Sequence, residues 1–205
     1  LKSAFYFLAQ GEKNEEDFWY SLDNWWIRTL MGKIHMRGHE IGYHGSYNSY
    51  NKPLLIKEEF GRLVKVCQEE GIVQDDWGGR QHYLRWENPV TWQGWEDAGL
   101  VYDTTLTFHD HIGFRCGTCY EYPVFNLKER RQLHLVEKPL MVMEVTLFTY
   151  MDIDRSAALE LIATLASICK QFEGAMSLLW HNSTLVSKRD REDYRNVVST
   201  SVYGR

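Results

Sequence analysis

The chain has 205 residues, 44% of them hydrophobic, which is enough to build one domain with a sizeable core. Its formal net charge is −5, and its 23 Lys and Arg are scattered, so it lacks the basic stripe that nucleic-acid binding needs. No run reaches the roughly 18 to 20 apolar residues that span a bilayer, and the opening LKSAFYFLAQGEK has no basic n-region or cleavage site. The chain therefore reads as soluble, without a transmembrane segment.

In chain order, SAFYFLA (3–9) is a short apolar run bounded by the polar QGEKNEED, as expected of a strand buried on both faces. LDNWWIRTLMGKIHMRG predicts a helix with Asp23 as N-cap, an inner face of Trp26, Leu30 and Ile34, and a stop at Gly38. HEIGYHG reads as a strand end entering a loop. NKPLLIKEEFGRLVKVCQEEG predicts a second helix, with Pro53 in its first turn, Leu55, Phe60, Leu63, Val64 and Cys67 on one face, and Gly71 at its end. A strand around GRQHYLRW, a helix in NPVTWQGWEDAG and a strand in LVYDTTL follow. Residues 107–137 read as a long irregular stretch interrupted by YEYPVF. PLMVMEVTLF then predicts a strand. DIDRSAALELIATLASICKQFEG predicts the longest helix, capped by Asp152 or Asp154 and stopped by Gly174, and AMSLLWHNST predicts a last strand.

Strands alternating with helices along the whole chain imply a parallel sheet wrapped by helices. A count of about six or seven such units favours a (β/α) barrel, distorted or incomplete, over a small doubly wound sheet. Neither a repeat nor a low-complexity linker marks a second domain. In such folds chemistry collects in the loops after the strand C-termini. That rule gathers His44 after EIGY, Arg80 and Tyr83 in GRQHYLRW, Asp103 after LVY and His181 after SLLW onto one face.

The order of these pieces resembles the polysaccharide deacetylase family, the NodB-homology domain of carbohydrate esterase family four, over nearly the whole chain. GHEIGYHGSYNS resembles the family's second motif and puts His44 and Asn48 at its metal-ligand positions. Arg80 to Tyr83 in RQHYLR resembles the third motif, and Leu178 to His181 in LLWHNS the fifth. SAFYFLAQG looks like the strand that follows the first motif, the Thr-Phe-Asp-Asp-like strand that supplies the general base and one ligand. That motif should precede residue 1. Asp17 and Asp23 lie in a polar loop and at a helix start, so neither is taken to replace its aspartate. Asn48 stands where a second histidine is usual, and an amide oxygen is a weaker ligand for zinc than imidazole, so that without the upstream aspartate the site of this chain is expected to hold no metal.

The resemblance implies a metal-dependent hydrolase that removes acetyl groups from N-acetylated sugars. A divalent ion, zinc or similar, held by His44 and Asn48 with the upstream carboxylate, would polarise the acetamide and activate water. A backbone N–H near Tyr83 would serve the oxyanion, Arg80 would orient the catalytic aspartate, and His181 would protonate the leaving amine. Asp103 and Arg115 are the candidates for the fourth motif, which tunes that histidine. Gly42 and Gly45 would let the backbone bend around His44.

Two other function classes stay open. Eight Trp and twelve Tyr exceed what a core usually takes, and surplus rings suit a catalytically silent sugar binder. In HDHIGFRCGTC, His109, His111, Cys116 and Cys119 place four ligand types in one loop, the makings of a zinc-binding structural module, although structural zinc sites usually pair ligands from two separated elements. The four cysteines are too few for a disulfide scaffold in a chain of this length, which favours a reducing, cytoplasmic location.

Overall fold

Short apolar runs become strands and longer amphipathic ones become helices. A computed structural model describes residues 1–9, 15–17 and 20–203; residues 10–14 of the polar segment expected after the first strand lie outside the described residues. The strands are β1 (Ala4–Leu8), β2 (Glu40–Gly45), β3 (Gly78–Gln81), β4 (Tyr102–Asp103), β5 (Tyr122–Asn126), β6 (Arg131–Glu137), β7 (Val142–Met143) and β8 (Leu178–Leu179). The helices are α1 (Trp25–Met36), α2 (Pro53–Glu69), α3 (Val90–Ala98), α4 (Arg155–Gln171) and α5 (Lys188–Tyr203). The result is a mixed α/β chain with a mostly parallel central sheet of order β1-β2-β3-β4-β6-β5, in which only β5 runs antiparallel, against β6; β7 and β8 form a second, parallel pair.

The chain folds as two compact units. Leu1–Thr105 with Tyr122–Glu137 forms unit 1, and Leu106–Glu121 with Lys138–Arg205 forms unit 2. In unit 1, α2 packs on α3 and β2, around the buried Ile41, Tyr43, Ile56, Leu63 and Trp95. In unit 2, Met141, Val142, Leu147, Ala158, Ile162 and Val197 make the core. Among the described residues no helix is long and apolar enough to cross a membrane.

Local differences from the sequence expectations have physical causes. The N-cap of α1 is Asn24, whose side chain accepts the Trp26 N–H at 3.2 Å, while Asp23 pairs with Arg28 at 2.7 Å. The inner face of α1 is Ile27, Met31 and Ile34, with Trp26 and Leu30 exposed; both sets have helical spacing, and packing selects one. On α2 the buried face is Ile56, Glu59, Phe60, Leu63, Val66 and Cys67, so Leu55 and Val64 only flank it. Within 107–137, expected to be irregular, RQLHLVE forms β6, with Leu133, Leu135 and Glu137 buried and His134 exposed. Its charged first residues mask the alternation that marks a half-buried strand. PLMVMEVTLF contributes only two strand residues before the chain coils into a π-helical turn at Thr146–Tyr150, because an unbroken apolar run carries no period that tells strand from buried helix. Asp154 caps α4, accepting from Ser156 N–H at 2.8 Å and Ala157 N–H at 3.0 Å; α4 and α2 are equally long, at 17 residues. The polar α5 is not expected from the sequence, because KRDREDYRN shows no apolar stripe, and among its described side chains Val197 alone is buried.

Candidate functional site

The parallel strands of unit 1 end together, and their last residues carry the polar groups. In the β2–β3 register His44 stands opposite Arg80, one step beyond the pair Tyr43 and Gly79. This pairing needs a glycine at 79, since a Cβ there would lie 1.7 Å from the Tyr43 carbonyl oxygen. Gly45 likewise makes room for a neighbour, as its Cβ would meet the Gln81 side chain at 2.0 Å; neither Gly42 nor Gly45 has the positive φ that a glycine-dependent bend would use. The half-buried His44 ring directs Nδ1 to the Arg80 carbonyl oxygen at 2.7 Å. A carbonyl only accepts, so His44 carries a proton on Nδ1.

A second histidine stands beside it. His82 follows β3, and its ring lies 5.0 Å from that of His44, tilted by 61°. Its Nδ1 bonds Asp17 Oδ1 at 2.5 Å. Asp17 has no exposed side-chain surface, and its two carboxylate oxygens accept the Tyr47 N–H at 3.1 and 3.0 Å. A polar loop residue passed over as a candidate is thus a buried carboxylate, and no local pattern signals it, because its partner lies 65 positions away. Asn48 is exposed within the turn at 47–50 that follows Ser46.

Tyr83 and Leu84, next after His82, both have φ 56°, a left-handed conformation that ordinary residues adopt at a cost and that clusters at functional sites. The Tyr83 side chain is 64% exposed, and its ring meets that of Tyr47 edge-on at 5.3 Å. The Arg85 guanidinium lies over the rings of Tyr47 and Tyr50 at 4.0 and 4.1 Å.

Arg80 is buried, with Nε donating to the Thr104 carbonyl at 3.0 Å and the guanidinium over the Tyr6 ring at 5.3 Å. Burial lowers its pKa, opposed by Tyr6 and by the carboxylates of Asp103 and Glu137. Asp103, fully buried at the end of β4, is pushed up to about 6 by burial, held back by hydrogen bonds from Thr105 and by the charge of Arg80.

Unit 2 repeats the strand-end arrangement. Glu144 follows β7 and His181 follows β8, its parallel partner. Glu144 Oε1 accepts from the His181 backbone N–H at 2.9 Å and sits 2.6 Å from Nδ1. The carboxylate is nearly buried, whereas the His181 side chain is 42% exposed. Glu144 thereby holds the Nδ1 side of the ring, and the His181 side chain keeps a solvent-facing part. Sequence reasoning passed over Glu144, although an acidic residue just after the run PLMVM satisfies the same strand-end rule that selected His181. Of the two residues offered as its tuner, Asp103 bonds Thr105, and Arg115 donates Nη1 to the Thr107 carbonyl at 2.6 Å and braces its own loop.

The ligand-rich HDHIGFRCGTC loop disperses its side chains. His111 stacks on Phe108 at 3.9 Å and bonds Asp110 at 2.8 Å, His109 meets Tyr150 edge-on, and Cys119 packs in the core of unit 2. No disulfide joins any of the four cysteines. Among the described residues no three His, Cys, Asp or Glu side chains gather as a metal-binding group. Compared with known proteins, the chain matches no family model, no curated protein and no solved structure.

Proposed function

We propose that the protein is a metal-dependent amide hydrolase of the polysaccharide deacetylase type, removing acetyl groups from N-acetylated sugars of a polysaccharide or glycan precursor. The observation that supports this reading is the placement of His44, Arg80 and His181 at or just past the ends of parallel strands, in the chain order of that family's motifs. The family's distorted or incomplete (β/α) barrel is part of the proposal. The donor types of unit 1 suit a divalent ion such as zinc, because His44 offers an imidazole backed by a carbonyl and Asn48 an amide oxygen. Such an ion, when bound, polarises the acyl carbonyl and lowers the pKa of its water.

The chain's own residues supply the rest. Arg80, held by its bond to the Thr104 carbonyl, is the residue that would orient the catalytic carboxylate. The backbone N–H at Tyr83 is the donor for the oxyanion, on a strained turn that fixes its direction. His181 gives its proton to the leaving amine, with Glu144 steadying the imidazolium. The general base, an aspartate of the family's first motif, is assigned to no residue here.

The test is acetate release from N-acetylated oligosaccharides by the full-length protein. His181→Ala should lower turnover by about 10²- to 10⁴-fold while the fold survives, and equal activity in the variant rules the assignment out. A silent sugar binder is the second reading, favoured by the exposure of Trp25, Trp26 and Tyr83. Saturable oligosaccharide binding with no acetate released selects it.

A further inference from the structure

We propose that His82, rather than Asn48, is the second side-chain ligand beside His44, and that Asp17 is the carboxylate that orients it. The inference rests on the metal-dependent reading above and deepens it. Each histidine has Nδ1 held by an oxygen acceptor, His44 by the Arg80 carbonyl at 2.7 Å and His82 by Asp17 at 2.5 Å. A carbonyl or carboxylate behind one ring nitrogen is the usual support of a metal-bound imidazole, because it fixes the tautomer and raises the basicity of the other nitrogen. The two rings are neighbours, 5.0 Å apart between centroids, and they come from the ends of adjacent parallel strands.

The support behind His82 is built, not incidental. Asp17 is wholly withdrawn from solvent, and a buried carboxylate is costly unless hydrogen bonds and a cationic or proton-donating partner compensate it. The Tyr47 N–H and His82 do so, tying residues 15–17, the turn after β2 and the turn after β3 to one point. The left-handed pair Tyr83 and Leu84 follows at once, so the backbone leaving His82 is held in an unusual conformation where the ring must be aimed. Asn48, in contrast, lies on an exposed turn and offers only an amide oxygen. Imidazole binds zinc more strongly, so His82 supplies what position 48 lacks.

The experiment is zinc titration of the protein against a chromophoric chelator, with melting curves run on every variant. Asn carries its amide nitrogen near the place of imidazole Nδ1, so His44→Asn and His82→Asn keep the bonds to Arg80 and Asp17 and remove only Nε2. Each should weaken zinc binding by at least about tenfold with melting curves unmoved, and Asp17→Asn by about 10- to 100-fold with a lower melting temperature, since its oxygens also hold the Tyr47 N–H. Asn48→Ala should stay within about twofold, well under the size of a lost supporting group. Zinc affinity that falls with Asn48→Ala and not with His82→Asn overturns the assignment, and so does a wild-type protein that binds no zinc. If His82→Asn fails to fold, the cobalt(II) form of the wild type answers instead: hyperfine-shifted resonances from two bound imidazoles are expected, and from one alone they refute the pair. Zinc that depends on His44 and His82 in a protein releasing no acetate rejects the deacetylase reading and leaves the ligand pair standing. Zinc-dependent acetate release that survives His82→Asn rejects the pair and leaves the deacetylase reading standing.

Discussion

Replacing Gly79 by Ala should damage the protein more than its single methyl group suggests, because the obstacle is backbone. Gly79 pairs with Tyr43 across β2 and β3, and an added Cβ would sit 1.7 Å from the Tyr43 carbonyl oxygen, 2.7 Å from its carbonyl carbon and 3.0 Å from its nitrogen. Ordinary contact starts at 3.4 Å, so the oxygen must retreat by about 1.7 Å, and no rotamer change supplies that. Nor can β2 yield on its far side. The Tyr43 ring is fully buried against Trp95 and Phe60, at 5.4 and 6.1 Å, and its hydroxyl donates to Glu59 at 2.6 Å. Overpacking costs about 1–3 kcal/mol, occasionally more. Each ladder hydrogen bond lost as the strands part adds about 0.5–1.5 kcal/mol. A loss on the order of 3–5 kcal/mol follows, a large part of the stability of an ordinary domain. Gly32→Ala is the control. It lies inside α1 with nothing within 4 Å of the new methyl, and should stabilise by about 0.5–1 kcal/mol through helix propensity. Urea denaturation followed by tryptophan fluorescence at pH 7 measures both. A Gly79→Ala midpoint equal to that of the wild type would falsify the close-approach argument, and with it the register that sets His44 opposite Arg80.

Further outcomes are expected elsewhere. Glu144→Gln, which keeps an oxygen to accept from the His181 backbone, should lower the turnover of acetate release and leave KM unmoved, since the carboxylate holds the imidazole in place; a loss of stability with unchanged turnover would reject that role. Asp103 binds its proton more tightly in the folded chain, at about 6 against 3.8 in the free group, so its contribution to stability is present below pH 4 and is lost as pH rises through about 6. Asp103→Asn, which keeps an oxygen to accept from Thr105, should flatten that part of the stability–pH curve; parallel curves for variant and wild type would contradict the burial argument. Asp154→Ala should cost roughly 1 kcal/mol by removing the N-cap of α4, seen as a lower urea midpoint, and an unchanged midpoint would show that the cap is dispensable.

The sequence by itself determined the elements whose periodicity or punctuation is strong. Strand β1 is a bounded apolar run, α2 starts at Pro53 and ends before Gly71, and α4 follows one of two aspartates, of which the structure selects Asp154 as the cap. It also singled out His44, Arg80, Asp103 and His181 as candidates, because alternating β and α segments imply a parallel sheet, and in such sheets chemistry collects past the strand C-termini. Only the tertiary structure decided which partner each of them takes. Asp17 meets His82 across 65 positions, and Glu144 meets His181 across 37. A hydrogen bond is specific in space and leaves no period along the chain, so Asp17 could not be told from an ordinary polar loop residue, and the strand-end position of Glu144 did not reveal its partner. The same holds for β6 and for the inner face of α1, where two helical stripes one residue apart were equally spaced and the sheet buried Ile27 and Met31 rather than Trp26 and Leu30. Local chemistry sets what a segment can form, and packing against segments distant in sequence selects among the faces and partners it offers.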